Sequence, residues 1–255
     1  MASNPPGECC TRGWILSGEP AGELIKCVDG KTDAYLATPG ADFPAKKDSA
    51  IIILSDIFGI YPNSQLMADS FAAQGYTTLI PDLFKGDQVP VERPAGWDIM
   101  AWITKGSDGN NPHTPATIDP IVVQGIETLK SLGIKRIGGV GYCFGAKYVV
   151  RNYKHGIDVG YSAHPSFVEK EELAAITGPF SISAAETDEI FPEKLRIKSE
   201  EILRKTGLPF QINLFQGVEH GFAVRGNPNV RAERFAKEQA FKQAVAWFDE
   251  FLVNP

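Results

Sequence analysis

Short, uninterrupted apolar runs separated by segments of helical length are what most restrict the fold of this chain. Residues 50–54 and 76–80 are such runs, and further strand-like runs follow at 137–142, 159–163, 180–185 and 210–215. Successive side chains on a strand point to opposite faces. A strand therefore stays apolar throughout only when both faces are covered, as inside a parallel sheet with helices on either side. Residues 63–74, between the first two runs, carry helical spacing. The alternation predicts a mostly parallel, doubly wound α/β sheet with helices on both faces. Ahead of it, 24–28 and 32–37 flank Asp29-Gly30, a pair suited to positive φ, and predict an N-terminal antiparallel hairpin with a two-residue turn. At the other end, 230–252 sets Phe241, Ala244, Val245, Phe248 and Phe251 or Leu252 at 3.6-residue spacing, which predicts a long helix packed on the sheet.

The length of 255 residues suits one α/β domain spanning 1–255. Residues 84–119 break the rhythm. They are rich in Gly, Pro, Asn and Asp, carry a short helical piece around 97–104, and read as a lid-like excursion. A net charge of -6 argues against sequence-independent nucleic-acid binding, which needs a basic face. No stretch approaches the length of a membrane span, and the first residues lack the basic and apolar regions of a signal peptide. The four cysteines, Cys9, Cys10, Cys27 and Cys143, show neither paired metal-site spacing nor a secretory context, so the chain is expected to be cytoplasmic with free thiols. Adjacent Cys9 and Cys10 cannot bridge each other without strain and receive no role.

The run 137–142 leads into Gly141-Tyr142-Cys143-Phe144-Gly145. Gly-x-Cys-x-Gly at a strand end reads as a nucleophile elbow, a sharp strand-to-helix turn that exposes one side chain at the sheet edge, here a thiol. The other reading is a buried, inert cysteine in a glycine-rich strand end. A cysteine nucleophile needs a base, and the base needs an orienting acceptor. His220 lies in Val218-Glu219-His220-Gly221-Phe222, after the last apolar run, and Asp188 follows the run 180–185 in Glu186-Thr187-Asp188. Nucleophile, acid, histidine is the chain order of α/β-hydrolases. His164, at the end of the run 159–163, shares the rim of the sheet with the elbow and is expected either to line the pocket or to be a hydrogen-bonded structural residue. His113 and His155 are expected at the surface, while Phe84, Trp97 and Trp102 either wall a pocket or pack plainly.

The motifs together resemble the dienelactone hydrolases, especially their fungal-type members, from Cys9 onward. The likeness rests on Asp56-Ile57-Phe58-Gly59, Gln74-Gly75-Tyr76, Ile80-Pro81-Asp82-Leu83-Phe84, the elbow, Thr187-Asp188 and His220-Gly221-Phe222. It implies an α/β-hydrolase fold, a Cys143/Asp188/His220 triad, and an oxyanion hole from the backbone N–H groups of Ile57 and Phe144. It also implies a substrate pocket involving Asp56, Lys85, His164, Phe222 and Arg225, with Asp56 standing where the family carries a glutamate. The expected activity is hydrolysis of a small lactone or ester through a cysteine thioester, with no metal or organic cofactor. The alternatives are non-hydrolytic chemistry on the same fold, such as decarboxylation or ring rearrangement in secondary metabolism, and a non-catalytic small-ligand-binding protein. The oligomeric state, monomer or homodimer, is left open.

Overall fold

The computed structural model describes residues 1–90, 92–93 and 97–254. Its strands are β1 (Glu23–Lys26), β2 (Asp33–Ala37), β3 (Ser49–Leu54), β4 (Thr77–Pro81), β5 (Arg136–Tyr142), β6 (Val159–Ala163), β7 (Phe180–Thr187) and β8 (Phe210–Glu219). The helices are α1 (Pro62–Ala72), α2 (Ile99–Lys105), α3 (Pro115–Ser131), α4 (Gly145–Arg151), α5 (Lys170–Ala174), α6 (Glu193–Thr206), α7 (Phe222–Arg225) and α8 (Arg231–Phe248). The strands form one sheet in the order β1-β2-β4-β3-β5-β6-β7-β8. β2 pairs antiparallel with both β1 and β4, and the rest pair parallel. The chain winds from β3 outward to β4, then returns to lay β5 on the other side of β3. The C-terminal ends of β3 and β5 therefore flank the crevice where open α/β sheets bind ligands.

Burial explains why the apolar runs are strands. All of β3 is buried, and β6 is buried along its whole length. Gly138 of β5 leaves the space into which α8 packs, since a Cβ there would come within 2.7 Å of Phe248 and 2.8 Å of Ile51. Phe248 is fully buried, with ring centroids 6.4 Å from Phe71 and 6.3 Å from Tyr76. The stripe predicted on the last helix is this contact, although regular α-geometry stops at Phe248 and 249–253 form a wider π-turn.

Two expectations need correction. The first hairpin is closed by residues 27–32 rather than by a two-residue turn. Asp29 organises that connection, its carboxylate accepting the N–H groups of Lys31 and Thr32 at 2.9 Å each and the Thr32 hydroxyl at 2.8 Å. The excursion ends earlier than expected, because Pro115 starts α3 and the Thr117 hydroxyl accepts the Thr114 N–H at 3.1 Å. The expected helical piece is α2, capped by Asp98, whose carboxylate accepts the N–H of Met100 at 2.8 Å. No helix among the described residues is long and apolar enough to cross a membrane.

The first sixteen residues form a strap over the C-terminal edge of the sheet. Ala2 donates its N–H to the Val168 carbonyl at 2.7 Å, and Asn4 donates to Ile190 at 2.8 Å. A 3₁₀ turn at Glu8–Thr11 follows. Trp14 then donates to the Arg225 carbonyl at 2.8 Å, and Asn63 of α1 clasps Trp14 O and Leu16 N–H, both at 2.8 Å.

Replacing Phe248 by Ala should lower the unfolding free energy by about 3–5 kcal/mol, since it opens a cavity between α8 and β5 that Gly138 cannot fill. Chemical denaturation reads this as a lower midpoint with an unchanged slope.

Candidate active site

Cys143 sits in the turn from β5 to α4 with φ 50°, a left-handed conformation that costs a residue with a side chain roughly 1–3 kcal/mol. The flanking glycines are what make the turn possible. A Cβ on Gly145 would lie 1.9 Å from the Leu54 carbonyl oxygen, and one on Gly141 would lie 2.6 Å from the Ala146 Cα. The start of α4 thus passes against the end of β3 at a separation no larger residue permits. The strained backbone is held from both sides: Cys143 N–H donates to Ala163 O at 3.2 Å, and Ser166 N–H donates to Cys143 O at 3.0 Å. Cys143 is fully buried.

β7 and β8 carry the other two predicted residues to the same edge. Asp188 turns its Oδ1 onto the backbone N–H groups of Ile190 (2.8 Å) and Phe191 (3.0 Å), which fixes the carboxylate. Both its oxygens accept from His220 Nδ1, at 3.0 and 2.9 Å. That contact places the proton on Nδ1 and turns Nε2 toward the elbow. Cys143 Sγ, Cys10 Sγ and His220 Nε2 all lie within 4.8 Å of one another. Cys10, which the sequence reading left without a role, comes from the strap. Its sulfur is 3.3 Å from Cys143 Sγ and 3.4 Å from His220 Nε2.

Burial pushes the Cys143 thiol up, but the hydrogen bond to Cys10 and the positive charges of His220 and Arg225 outweigh it and hold the thiol well below its ordinary range. Burial acts downward on His220, while the facing Cys143 sulfur and the Asp188 carboxylate raise it to about 10. The charged form of each partner thus favours the charged form of the other.

Asp56, in the loop after β3, does not hydrogen-bond Cys143. It accepts the Phe58 N–H and the Tyr61 hydroxyl, both at 3.1 Å, and ion-pairs with Nη1 of Arg225. Arg225 Nε donates to the Arg12 carbonyl of the strap at 2.8 Å, and its buried Nη2 meets no acceptor among the described residues. The N–H groups of Ile57 and Phe144 likewise take no acceptor among the described residues, whereas neighbouring Gly59 is committed to Asp56 O at 3.1 Å.

The remaining candidates scatter. His164 is buried at φ 40°, its ring 4.9 Å from His220 and 5.7 Å from Phe222. Neither of its ring nitrogens has a hydrogen-bond partner among the described residues, contrary to a hydrogen-bonded structural role. Burial first, then the charges of His220 and Arg225, push it well below the usual histidine range, so it stays neutral. Lys85 lies exposed at φ 53°. His155 is at the surface as expected, but His113 is buried, bonded to Asp87 at 3.0 Å and packed 4.2 Å from Trp102. Trp102 and Phe84 pack with Phe144 behind the elbow, while Trp97 lines a cavity of about 360 Å³ beside the strap, together with Gly7, Glu8 and Thr11.

Residues 32–252 match the family model of the dienelactone hydrolase family. The chain belongs to that family. It is similar over 99% of its length, and 99% of theirs, to "Hydrolase pyvD" of Aspergillus violaceofuscus at 48% identity and "Hydrolase tropI" of Talaromyces stipitatus at 45%. "Dienlactone hydrolase 1" of Gibberella moniliformis is 32% identical, with 100% of this chain and 97% of the relative covered. Among solved structures, the thermophilic esterase Est2 of Thermogutta terrifontis, with propionate bound, superposes with a TM-score of 0.66 over 91% of this chain and 94% of its own, at 16% identity. The fold is the α/β-hydrolase fold.

Cys10, Cys143 and His220 are also of the right kind and spacing for a thiophilic ion such as zinc. Two of the three are the groups a thiol nucleophile needs free, so an ion there would oppose that chemistry.

Asp56→Asn removes a carboxylate from the neighbourhood of the thiol and leaves the Arg225 charge unopposed. A nearby negative charge favours the neutral S–H form. The midpoint of Cys143 alkylation against pH should therefore move lower in the variant. Stability should also fall by about 3–5 kcal/mol, the usual cost of breaking a buried ion pair from one side. An unchanged midpoint with the stability loss would reduce Asp56 to an anchor for Arg225.

Proposed function

We propose that this chain hydrolyses a small lactone or ester through a thioester on Cys143. The reading rests on one observation above the others: a thiol held at a strained elbow, within 4.8 Å of the Nε2 of a histidine whose Nδ1 is bound to a buried aspartate. Membership of the dienelactone hydrolase family and the hydrolase names of the relatives support it.

In this reading the Cys143 thiolate attacks the carbonyl carbon, and the N–H groups of Ile57 and Phe144 receive the developing oxyanion. The C–O bond breaks, and the leaving oxygen takes the Nε2 proton of the His220 imidazolium. Neutral His220 then removes a proton from water as it adds to the thioester, and the thiolate leaves. Asp188 keeps the imidazole oriented and stabilises its charged form. Cys10 occupies the space in front of Nε2, so the strap turn Glu8–Thr11 must give way for a leaving group to reach the proton. The spare Nη2 donor of Arg225 suits an anionic substituent on the substrate.

Incubating the protein with lactones, enol esters and activated aryl esters should give an acyl adduct on Cys143, seen by intact mass. On a substrate so found, Cys143→Ala and His220→Ala should each cut turnover by at least about 10³-fold while the protein stays folded, with Asp188→Asn costing less. Near-normal turnover by Cys143→Ala would overturn the thiol mechanism.

A further inference from the structure

Cys10 and Cys143 are distant in sequence, yet their sulfurs meet at 3.3 Å inside the protein, and both thiols are free. Cys10 is held there by the strap, whose turn lies over the site instead of within the sheet. We propose that Cys10 and Cys143 are an oxidative modification site, in which a hydroperoxide oxidises Cys143 and Cys10 closes a disulfide with it.

The distance permits the bond. A disulfide needs its sulfurs about 2 Å apart, so the two must approach by a little over an ångström, and the Cys10 side chain stands on a four-residue turn rather than on a strand. The chemistry is also provided for. The Cys143 thiolate attacks one oxygen of the hydroperoxide, the O–O bond breaks, and Cys143 becomes the sulfenic acid. The departing oxygen takes the Nε2 proton of His220 and leaves as water when the oxidant is hydrogen peroxide. The Cys10 thiol next gives its proton to His220 Nε2, 3.4 Å away, and attacks the sulfenic sulfur. Hydroxide leaves and takes that proton back. Two thiols have lost two electrons, and the peroxide has become two waters. Cys143 is the pre-activated partner, since His220 and Arg225 favour its thiolate, whereas Cys10 is held well above the ordinary thiol range, by its hydrogen bonds to Cys143 and Cys9 first and by burial next. A dithiol reverses the step by attacking Cys10 and expelling Cys143, the better leaving group. Cys9 beside it is only partly buried. The oxidised protein would have its strap bonded across the site and its nucleophile masked.

Hydrogen peroxide is the probe, as the smallest hydroperoxide for a fully buried thiol. Reduced protein, freed of added reductant, is treated with a few equivalents, the remaining thiols are capped, and an unreduced digest is read by mass. The expected product is a Cys10–Cys143 linked peptide two hydrogens lighter than the reduced pair, fully restored by a dithiol. In Cys10→Ser, Cys143 should advance to the sulfinic or sulfonic acid, and dithiol recovery of its labelling should fall by roughly tenfold or more. Cys9→Ser should still form the link. Overoxidised Cys143 without the link in the native protein would overturn the proposal. So would a bridge using Cys9, or a Cys143 that stays reduced while a small-molecule thiol in the same tube oxidises. The mass readout needs no substrate, so its failure is separate from failure of the hydrolytic reading.

Discussion

The buried pair of Asp56 and Arg225 is the contact on which the geometry of the whole edge depends. Taking both charges out of water is expensive, and the pair persists because each partner is also tied to its surroundings. Asp56 holds the loop after β3 through Phe58 and Tyr61. Arg225 holds the strap through the Arg12 carbonyl and, through its own carbonyl, the N–H of Trp14. Gly221 leaves room for the guanidinium, since a Cβ there would lie 2.4 Å from Nη2, and so couples the position of Arg225 to the loop that carries His220. Three segments from distant parts of the chain therefore meet at one cation: those bearing Ile57, His220 and Cys10.

That cation also shapes the chemistry. A fully buried thiol would ordinarily stay protonated, and the elbow alone offers only a short helix. Arg225 nearby, His220 between Asp188 and the sulfur, and the Cys10 sulfur 3.3 Å away together favour the charged form. His164 takes no part in that balance as an acid. Surrounded by the same positive charges, it serves as an uncharged ring that packs edge-on against His220.

Much of this was legible in the sequence, for physical reasons that differ by element. Strands buried on both faces leave continuous apolar runs, and β6 was read to the residue at 159–163. The elbow was legible because its backbone admits only glycine at 141 and 145, and the acid and histidine because strand ends are fixed by the fold. Cys10 was invisible: nothing around a Cys-Cys pair in a strap announces a partner so far along the chain. His113 was misjudged for a related reason. Its segment is polar in composition, yet Asp87 and the aromatic cluster of Phe84 and Trp102 bury it. The hairpin turn failed more locally, since the Asp29 side chain replaced the backbone pattern that Asp29-Gly30 favours.

The strap has a consequence for the order in which the molecule assembles. Its hydrogen-bonding partners include Asn63, Val168, Ile190 and Arg225, and its Cys10 sulfur contacts Cys143 and His220. During synthesis, residues 2–16 leave the ribosome before every one of those partners exists. The full set of strap contacts is therefore available only once α7, which carries Arg225, is present. The parallel strands β3 and β5 need only an intervening helical crossover, whereas the strap needs nearly the whole chain. Completion of the site therefore requires the strap together with segments from nearly the whole length of the described chain.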